Sequence, residues 1–270
     1  MWNSKDIYYV SDSTGILSTN LGQSLLCQFP EIHFHEEQFP FIRSVKEARA
    51  TLKYILKNSG GRSPIIFSTI MLPEVLKVFD TPEVELFDMY VAFLDRLERS
   101  LQVQPLRLPG FYRHTDNVSI SKRVEAIHYT LEHDDGTKID ELDDADVILV
   151  GVSRSGKTPA SVYLATQMGL KAANFPLTIE FLTQYSLPEA IKRNIKRTVG
   201  LTTSPEMLRK VREKRYAASN YAKLVTCLEE LDQAKNIFLK NKIPVVNTEG
   251  KSIEETATQI MQEIGLSRKT

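Results

Sequence analysis

The eight residues GVSRSGKT, at 151–158, constrain the fold of this chain more than any other stretch. They fit the phosphate-binding pattern G-x-x-x-x-G-K-[ST] at every fixed position. The apolar run VILV (147–150) precedes them, and the helix-like run ASVYLATQM (160–168) follows them. A loop of this kind works between a buried strand and the N-terminus of a helix. The pattern therefore predicts a strand–loop–helix unit inside an α/β domain.

The loop residues predict a cradle for phosphate groups. The two glycines permit backbone angles that let successive N–H groups converge on an anion at the positive end of the following helix. Lys157 supplies an ammonium group, and the Thr158 hydroxyl is a candidate ligand for Mg²⁺. Arg154 offers a guanidinium for phosphate oxygens or for charge that develops during phosphoryl transfer. The predicted nucleotide-binding residues are Gly151, Val152, Ser153, Arg154, Ser155, Gly156, Lys157 and Thr158.

Two alternatives stay open at this loop. The first is a plain glycine turn with an exposed lysine and no ligand. The second concerns Arg154 alone, which would face solvent or pair with an acidic turn. The flanking strand and helix favour the phosphate site, because a binding loop needs both.

Apolar and amphipathic segments alternate along the chain. Short apolar runs such as 7–10 and 64–67 are separated by helix-like stretches, and residues 84–101 are predicted to form one long amphipathic helix. Such alternation is typical of parallel sheets covered by helices on both faces. We therefore predict an α/β fold of two α/β domains with mainly parallel sheets, the C-terminal one resembling P-loop kinases.

The predicted domain boundary rests on one stretch, QPLRLPGFYRHTDNV at 104–118. It contains two prolines and a glycine and shows no sustained periodicity, as expected of a connection. The predicted domains are an N-terminal α/β domain, residues 1–105, and a P-loop domain, residues 106–270.

Charge and composition narrow the class of protein. Thirty-four basic residues balance thirty-four acidic ones, so bulk charge favours neither nucleic acid nor an anionic membrane. The start, MWNSKDIYY, lacks signal-peptide regions, and no apolar run reaches the roughly 18–20 residues that span a bilayer. With two cysteines, the expected location is the reducing cytoplasm, and the histidine spacing predicts no zinc site. The basic run RKVREKR (209–215) is predicted to be a solvated helix face or a docking surface for acidic groups.

Many P-loop enzymes carry a second motif, an aspartate at the end of an apolar strand that helps to hold Mg²⁺. One candidate is Asp12 in the segment SDSTG, whose residues also suit an anion-binding turn; the alternative is a helix N-cap. The other is the segment HDDG, in which His133 is a candidate general base and Asp134 or Asp135 would orient it or bind metal. Its alternative is an ordinary Asp-Asp-Gly turn.

Several motifs in a fixed order give the chain a family resemblance. SDSTG, HDDG, ADVILVGVSRSGKTP, AANFPL, GLTTSPE and SIEETA follow one another between about residues 6 and 262. With these motifs the chain resembles the bifunctional kinase–pyrophosphorylase regulatory proteins. That family acts on phosphoenolpyruvate synthase and on pyruvate, phosphate dikinase.

The resemblance implies two opposing reactions. In the first, ADP donates its β-phosphoryl group to a threonine of the target enzyme and inactivates it. In the second, inorganic phosphate attacks the phosphothreonine, which releases pyrophosphate and restores activity. The implied co-substrates are ADP and inorganic phosphate with Mg²⁺, and a homodimer is also implied.

Two details refine the resemblance. The dikinase branch typically has serine where this chain has Gly156, and YAKLVTCLEEL (221–231) also resembles the synthase branch, so phosphoenolpyruvate synthase is the expected partner. Relatives commonly carry a glutamate where this chain has Thr19. We therefore assign no catalytic role to this position. The predicted catalytic residues are Lys157, Arg154, Asp12, His133 and Asp134, with Thr158 on the metal. A small-molecule P-loop kinase that uses ATP and a nucleotide-binding regulator without chemistry stay as alternatives.

Overall fold

The computed structural model describes residues 4–109, 117–216 and 219–266. The chain divides into two compact units, Met1–Thr115 and Asp116–Thr270. Within the described residues each unit contains one four-stranded sheet, and every strand pairing is parallel. The predicted pair of α/β domains with parallel sheets is thereby confirmed. The boundary after residue 105 stays a prediction, and residues 110–116 of the expected connection lie outside the described residues.

The N-terminal unit has a sheet with the strand order β2 (His33–Phe39), β1 (Ser4–Val10), β3 (Ile65–Ser68) and β4 (Glu85–Asp88). Tyr8 and Val10 of the first strand pack into a core with the second helix, whereas Ile7 and Tyr9 pack on the opposite face with Leu26 of the first helix. This alternation follows from the two-residue period of a strand. The elements are β1 (Ser4–Val10), α1 (Ile16–Leu26), β2 (His33–Phe39), α2 (Val45–Asn58), β3 (Ile65–Ser68), α3 (Pro73–Leu76), β4 (Glu85–Asp88) and α4 (Val91–Leu101).

The prediction of one helix over 84–101 is wrong. Residues Glu85–Asp88 form β4, which pairs with β3 in the register Ile65↔Glu85 to Ser68↔Asp88. The helix begins only at Val91, after Asp88 has accepted the N–H groups of Tyr90 and Val91 at 3.0 and 3.2 Å. Pairing with the open edge of β3 outweighs the helical periodicity of this segment, because that periodicity is only a local preference.

The C-terminal unit has the strand order β6-β5-β7-β8. Its elements are α5 (Asn117–Glu132), 3₁₀ turns at Asp134–Gly136 and Ile139–Asp144, β5 (Val147–Gly151), α6 (Lys157–Met168), β6 (Ala172–Pro176), α7 (Ile179–Gln184), α8 (Glu189–Arg193), a 3₁₀ turn at Ile195–Arg197, β7 (Thr198–Thr202), α9 (Pro205–Glu213), a 3₁₀ turn at Asn220–Ala222, α10 (Leu224–Asn241), β8 (Val245–Asn247) and α11 (Ile253–Glu263).

Strand β5 is buried along its whole length because helices cover both of its faces. Val147 and Leu149 pack in a core with residues of α6 and α11. Ile148 and Val150 pack on the opposite face in a core with residues of α7, α8 and α10. The strand that carries the glycine loop is therefore anchored on two sides.

The strand order positions a site in each unit. In a 2-1-3-4 order the chain crosses over the first strand, and a crevice forms at the carboxyl ends of the first and third strands. In the C-terminal unit these are β5 and β7, so residues 151–158 lie at the crevice. In the N-terminal unit they are β1 and β3, which places SDSTG there. In the described part of the chain, no helix combines the length and apolarity that crossing a bilayer requires.

Candidate active site

The phosphate-binding pattern forms the turn between β5 and α6. The strand ends at Gly151 and the helix begins at Lys157, as the sequence pattern predicts. Gly156, the N-cap, has a φ of 95°, and Arg154 has a φ of 74°. Left-handed residues inside a tight turn help successive N–H groups to converge on one side. The loop thus has a backbone suited to an anion.

Close contacts require glycine at the first position of the loop. A Cβ atom at Gly151 would lie 2.6 Å from the Leu201 carbonyl oxygen and 2.7 Å from Ser155 Oγ. The loop is also held from the outside, because Thr248 Oγ1 donates to the Ser155 carbonyl at 3.3 Å. Its last residues are therefore fixed by the segment after β8.

The Lys157 side chain is buried rather than exposed. It is 5% exposed, and its Nζ donates to the Val152 carbonyl at 2.9 Å. Burial lowers the pKa of Lys157 to about 8; two nearby arginines act in the same direction, whereas Asp135 and Asp134 oppose the shift. An exposed lysine on a plain glycine turn is therefore not what the structure contains. An anion in the loop would stabilise this buried ammonium group.

Three side chains from separate segments meet beside the loop. Thr158 Oγ1 donates to Asp134 Oδ1 at 3.2 Å. Asn174, on the neighbouring strand β6, donates through Nδ2 to the same Asp134 oxygen and, at 2.9 Å, to Thr158 Oγ1. The Asn174 backbone N–H also donates to the His133 carbonyl at 2.9 Å. Within the C-terminal unit, the structure therefore brings the HDDG turn to the threonine that ends the phosphate-binding pattern.

The oxygens of this cluster fit a magnesium ion. A carboxylate, a hydroxyl and the Asn174 Oδ1 are hard donors, and Oδ1 is buried with no hydrogen-bond partner among the described residues. No group of three or more His, Cys, Asp or Glu side chains with a metal-binding arrangement occurs within 4–109, 117–216 and 219–266. The donors fit Mg²⁺ held jointly with substrate phosphates, which is the usual mode for this ion.

Two further donors lie in the loop interior. Arg154 Nε and Ser155 Oγ are buried and have no hydrogen-bond partner in the described part of the chain. Buried polar groups are normally satisfied, and those without a partner call for a ligand or a catalytic role. The left-handed Arg154 therefore carries a guanidinium that remains available to phosphate oxygens.

His133 contributes to the site mainly through its backbone. Its ring is 1% exposed, stacks on Tyr129 with centroids 3.7 Å apart, and places Nδ1 2.8 Å from the Tyr129 carbonyl. Its Nε2 lies 3.7 Å from Glu141 Oε2. Its role as a general base stays a prediction, because the contacts of its ring are with α5 and the second 3₁₀ turn.

Asp12 belongs to the N-terminal unit, directly after β1. It is 2% exposed, its Oδ2 accepts the Met71 N–H at 2.7 Å, and its carbonyl accepts from Arg43 Nε at 3.2 Å. Burial raises the pKa of the Asp12 carboxyl, against the opposing effects of these two neighbours. The N-cap of α1 is Gly15, so Asp12 is not that cap. Asp12 instead joins β1 to the segment after β3, at the crevice of its sheet.

Sequence reasoning missed three residues that shape the loop. Asn174 is a polar residue inside the strand AANFP, which the sequence analysis did not assign as a strand. Thr248 follows β8 and belongs to none of the motifs identified in the sequence. Arg212 is fully buried, whereas the other residues of 209–215 are exposed as predicted for a solvated helix face. The signal for Arg212 was its spacing, because it lies four residues after Leu208, which is also fully buried.

The comparisons with known proteins identify the family of this chain. The model of the kinase/pyrophosphorylase family matches residues 7–261. A protein of Desulfotalea psychrophila is 50% identical over 264 residues, which cover 98% of this chain and 97% of that protein. A protein of Photobacterium profundum is 40% identical over 273 residues, with coverages of 99% and 98%. A protein of Bordetella avium is 40% identical over 267 residues, with coverages of 98% and 97%.

All three relatives carry the provisional name phosphoenolpyruvate synthase regulatory protein. Each similarity extends through both units, so it includes the loop, the HDDG turn and SDSTG. The chain belongs to the kinase/pyrophosphorylase family.

Proposed function

We propose that this protein transfers the β-phosphoryl group of ADP to a threonine of phosphoenolpyruvate synthase, and that it removes the group again with inorganic phosphate. The first reaction yields AMP and a phosphothreonine. The second yields pyrophosphate and the free threonine. The partner is proposed from the names of the relatives and from Gly156, which stands where the dikinase branch has serine.

The observation that carries the proposal is the junction of Asp134, Asn174 and Thr158. A P-loop alone binds phosphate, whereas transfer also requires groups that orient the metal and the nucleophile. Here a carboxylate and an amide are hydrogen-bonded to the Thr158 hydroxyl from outside the loop. This junction supports HDDG as the source of the metal-binding aspartate that the sequence does not place beside the loop.

In the forward reaction the threonine hydroxyl oxygen attacks the β-phosphorus of ADP. The bond between that phosphorus and the bridging oxygen breaks, and AMP leaves with the electron pair. Lys157 and Arg154 offset the negative charge on the transferring group. Asp134 and Thr158 would hold Mg²⁺, which supplies charge neutralisation on the phosphates, and Asn174 would orient both through Nδ2.

The proton of the attacking hydroxyl requires an acceptor. Asp134 Oδ1 accepts hydrogen bonds from both Asn174 Nδ2 and Thr158 Oγ1, so we assign Asp134 to orientation and to the metal. Asp135 is exposed, and it raises the pKa of Lys157 more than any other charge, so it lies close to the loop. We assign Asp135 as the acceptor, whereas His133 holds the turn in place.

In the reverse reaction an oxygen of inorganic phosphate attacks the phosphorus of the phosphothreonine. The bond from that phosphorus to the threonine oxygen breaks, and the threonine oxygen takes up the proton that the attacking hydrogen phosphate loses, with Asp135 relaying it. Because both reactions place a phosphate group beside the one transferred, a single cradle serves both. Phosphoryl transfer depends mainly on positioning and charge, so this short set of groups suffices.

The test uses ADP labelled at the β-phosphorus with purified phosphoenolpyruvate synthase. Label on a threonine of the synthase, and its return as pyrophosphate after phosphate is added, support the proposal. Pyruvate, phosphate dikinase tests the alternative target in parallel. Transfer from γ-labelled ATP to a small metabolite in the absence of the synthase would favour a small-molecule kinase. ADP binding without any transfer would leave only a nucleotide-binding regulator.

A further inference from the structure

Arg212 is a fully buried arginine behind the phosphate-binding loop. It lies on α9, is 0% exposed, and its Nη2 donates to the Ser153 carbonyl inside the loop at 3.1 Å. The same Nη2 lies 2.6 Å from Glu230 Oε2 on α10, and Nη1 donates to the Tyr221 carbonyl at 3.0 Å. The guanidinium also stacks on the Tyr221 ring, with Cζ 3.9 Å from the centroid.

This arrangement is costly for stability alone. Removing two charges from water carries a penalty of several kcal/mol per ion, and apolar residues of similar volume often stabilise a protein as well or better. Arg212 Nε is moreover buried with no hydrogen-bond partner among the described residues. The ion pair with Glu230 satisfies the charge, but core packing alone does not explain the contact with the loop.

The contact with Ser153 has a direct consequence for the loop. In an anion cradle the N–H groups point inward, so the carbonyl groups between them must point outward. Arg212 gives the Ser153 carbonyl a cationic donor on the outer side, immediately before Arg154 with its φ of 74°. If the Ser153–Arg154 peptide turned over, its oxygen would face the phosphate and repel it.

We infer that Arg212 is a positioning residue for phosphoryl transfer: by holding the Ser153 carbonyl outward, it keeps the Arg154 N–H directed into the cradle. It touches no substrate and acts through the loop backbone. Glu230 keeps the guanidinium in place, and Tyr221 orients its plane. The inference rests on the proposed function only in taking a phosphate group as the ligand of the loop.

The test separates positioning from packing. The double variant Arg212→Met/Glu230→Met replaces the buried pair by apolar side chains, which should preserve folding. The matched control is Arg209→Met/Glu213→Met, which removes an ion pair of 2.8 Å on the exposed side of the same helix α9. Calorimetry measures the affinity of the full chain for ADP and for inorganic phosphate, and thermal unfolding measures stability.

We expect the control to bind like the wild type and Arg212→Met/Glu230→Met to bind both ligands about tenfold or more weakly, the loss that about 1.4 kcal/mol produces. In ¹⁵N–¹H spectra at a phosphate concentration near the wild-type Kd, the amide signals of residues 153–156 should shift in the wild type and the control and much less in this variant. A folded variant with wild-type affinity would overturn the inference. If the double variant does not fold, Arg212→Lys keeps the charge but cannot span Ser153 and Tyr221; wild-type affinity there would equally overturn it.

The same experiment tells this inference apart from the proposed function. A wild type that binds phosphate but not ADP contradicts the proposed donor, and the comparison of variants then stands on phosphate alone. A wild type that binds neither ligand contradicts both.

Discussion

Lys157 is held with its ammonium group out of water and against the Val152 carbonyl. That environment favours loss of the proton, whereas a bound phosphate favours its retention. The residue therefore links ligand affinity to pH, and the direction of the effect follows from the pKa of about 8 in the free protein.

We predict that ADP affinity is nearly constant up to about pH 7.5 and falls above about pH 8, approaching tenfold per pH unit. Below its pKa the lysine is already charged, so binding takes up no proton; above it, each ADP bound must also bind a proton. Calorimetry between about pH 7.5 and 9.5 avoids the second ionisation of the phosphate near pH 6. In Lys157→Arg the cation stays charged throughout, so the slope should vanish. A wild type with flat affinity over this range would contradict the assignment.

Asn174 provides a second prediction at this scale. Asn174→Ala removes the donor to Asp134 and Thr158, so kcat for transfer should fall about 10–100-fold, as is typical when the support of a metal site is lost. Asn194→Ala is the matched control, because Asn194 is also buried and donates to Asp143 and Ala190. Both variants should lose stability in thermal unfolding, but only Asn174→Ala should lose turnover. Equal kcat values in the two variants would remove Asn174 from the site.

At the level of elements, local sequence predicted the strand–loop–helix unit because burial, glycine placement and helix start all agree there. It failed at β4, where helical periodicity and edge pairing conflict, and pairing with β3 prevails. The roles of Asn174 and Arg212 were not predicted from sequence for another reason. Their roles depend on which strand lies beside β5 and which helix lies behind the loop, and neither is encoded locally.

The N-cap of α6 allows a clean test of the loop backbone. Gly156 and Gly169 are left-handed glycines at the two ends of this helix, with φ of 95° and 66°. Alanine at either position should cost about 1 kcal/mol of unfolding free energy, because a Cβ is strained in that conformation. Only Gly156→Ala should also weaken phosphate binding, since only Gly156 lies in the cradle. Calorimetry that gave the same phosphate affinity for both variants would argue against an anion site at this end of the helix.

At the level of the whole molecule, both sheets have the same strand order, and each carries a polar segment after its first strand. In the N-terminal unit that segment is SDSTG, with the buried Asp12. Sequence predicted the class of both units, whereas the contacts of Asp12 with Met71 and Arg43 depend on segments 30 to 60 residues further along the chain.

Asp12→Asn tests whether the N-terminal unit takes part in the chemistry. Asparagine keeps an acceptor for the Met71 N–H but removes the charge, so thermal stability should be preserved. The catalytic role that the sequence predicts for Asp12 requires transfer in both directions to fall by about tenfold or more. Asp88→Asn is the control, because Asp88 also lies at the carboxyl end of a strand of this sheet and accepts backbone N–H groups. Unchanged turnover in Asp12→Asn would leave Asp12 with a purely structural role.

The most direct test of a single phosphate cradle for both reactions is Lys157→Ala, assayed in each direction with phosphoenolpyruvate synthase. Transfer from β-labelled ADP and phosphate-dependent release of pyrophosphate should be lost together, because the same ammonium group contacts the phosphate in both. Loss of the kinase reaction with full retention of pyrophosphate release would contradict the single site.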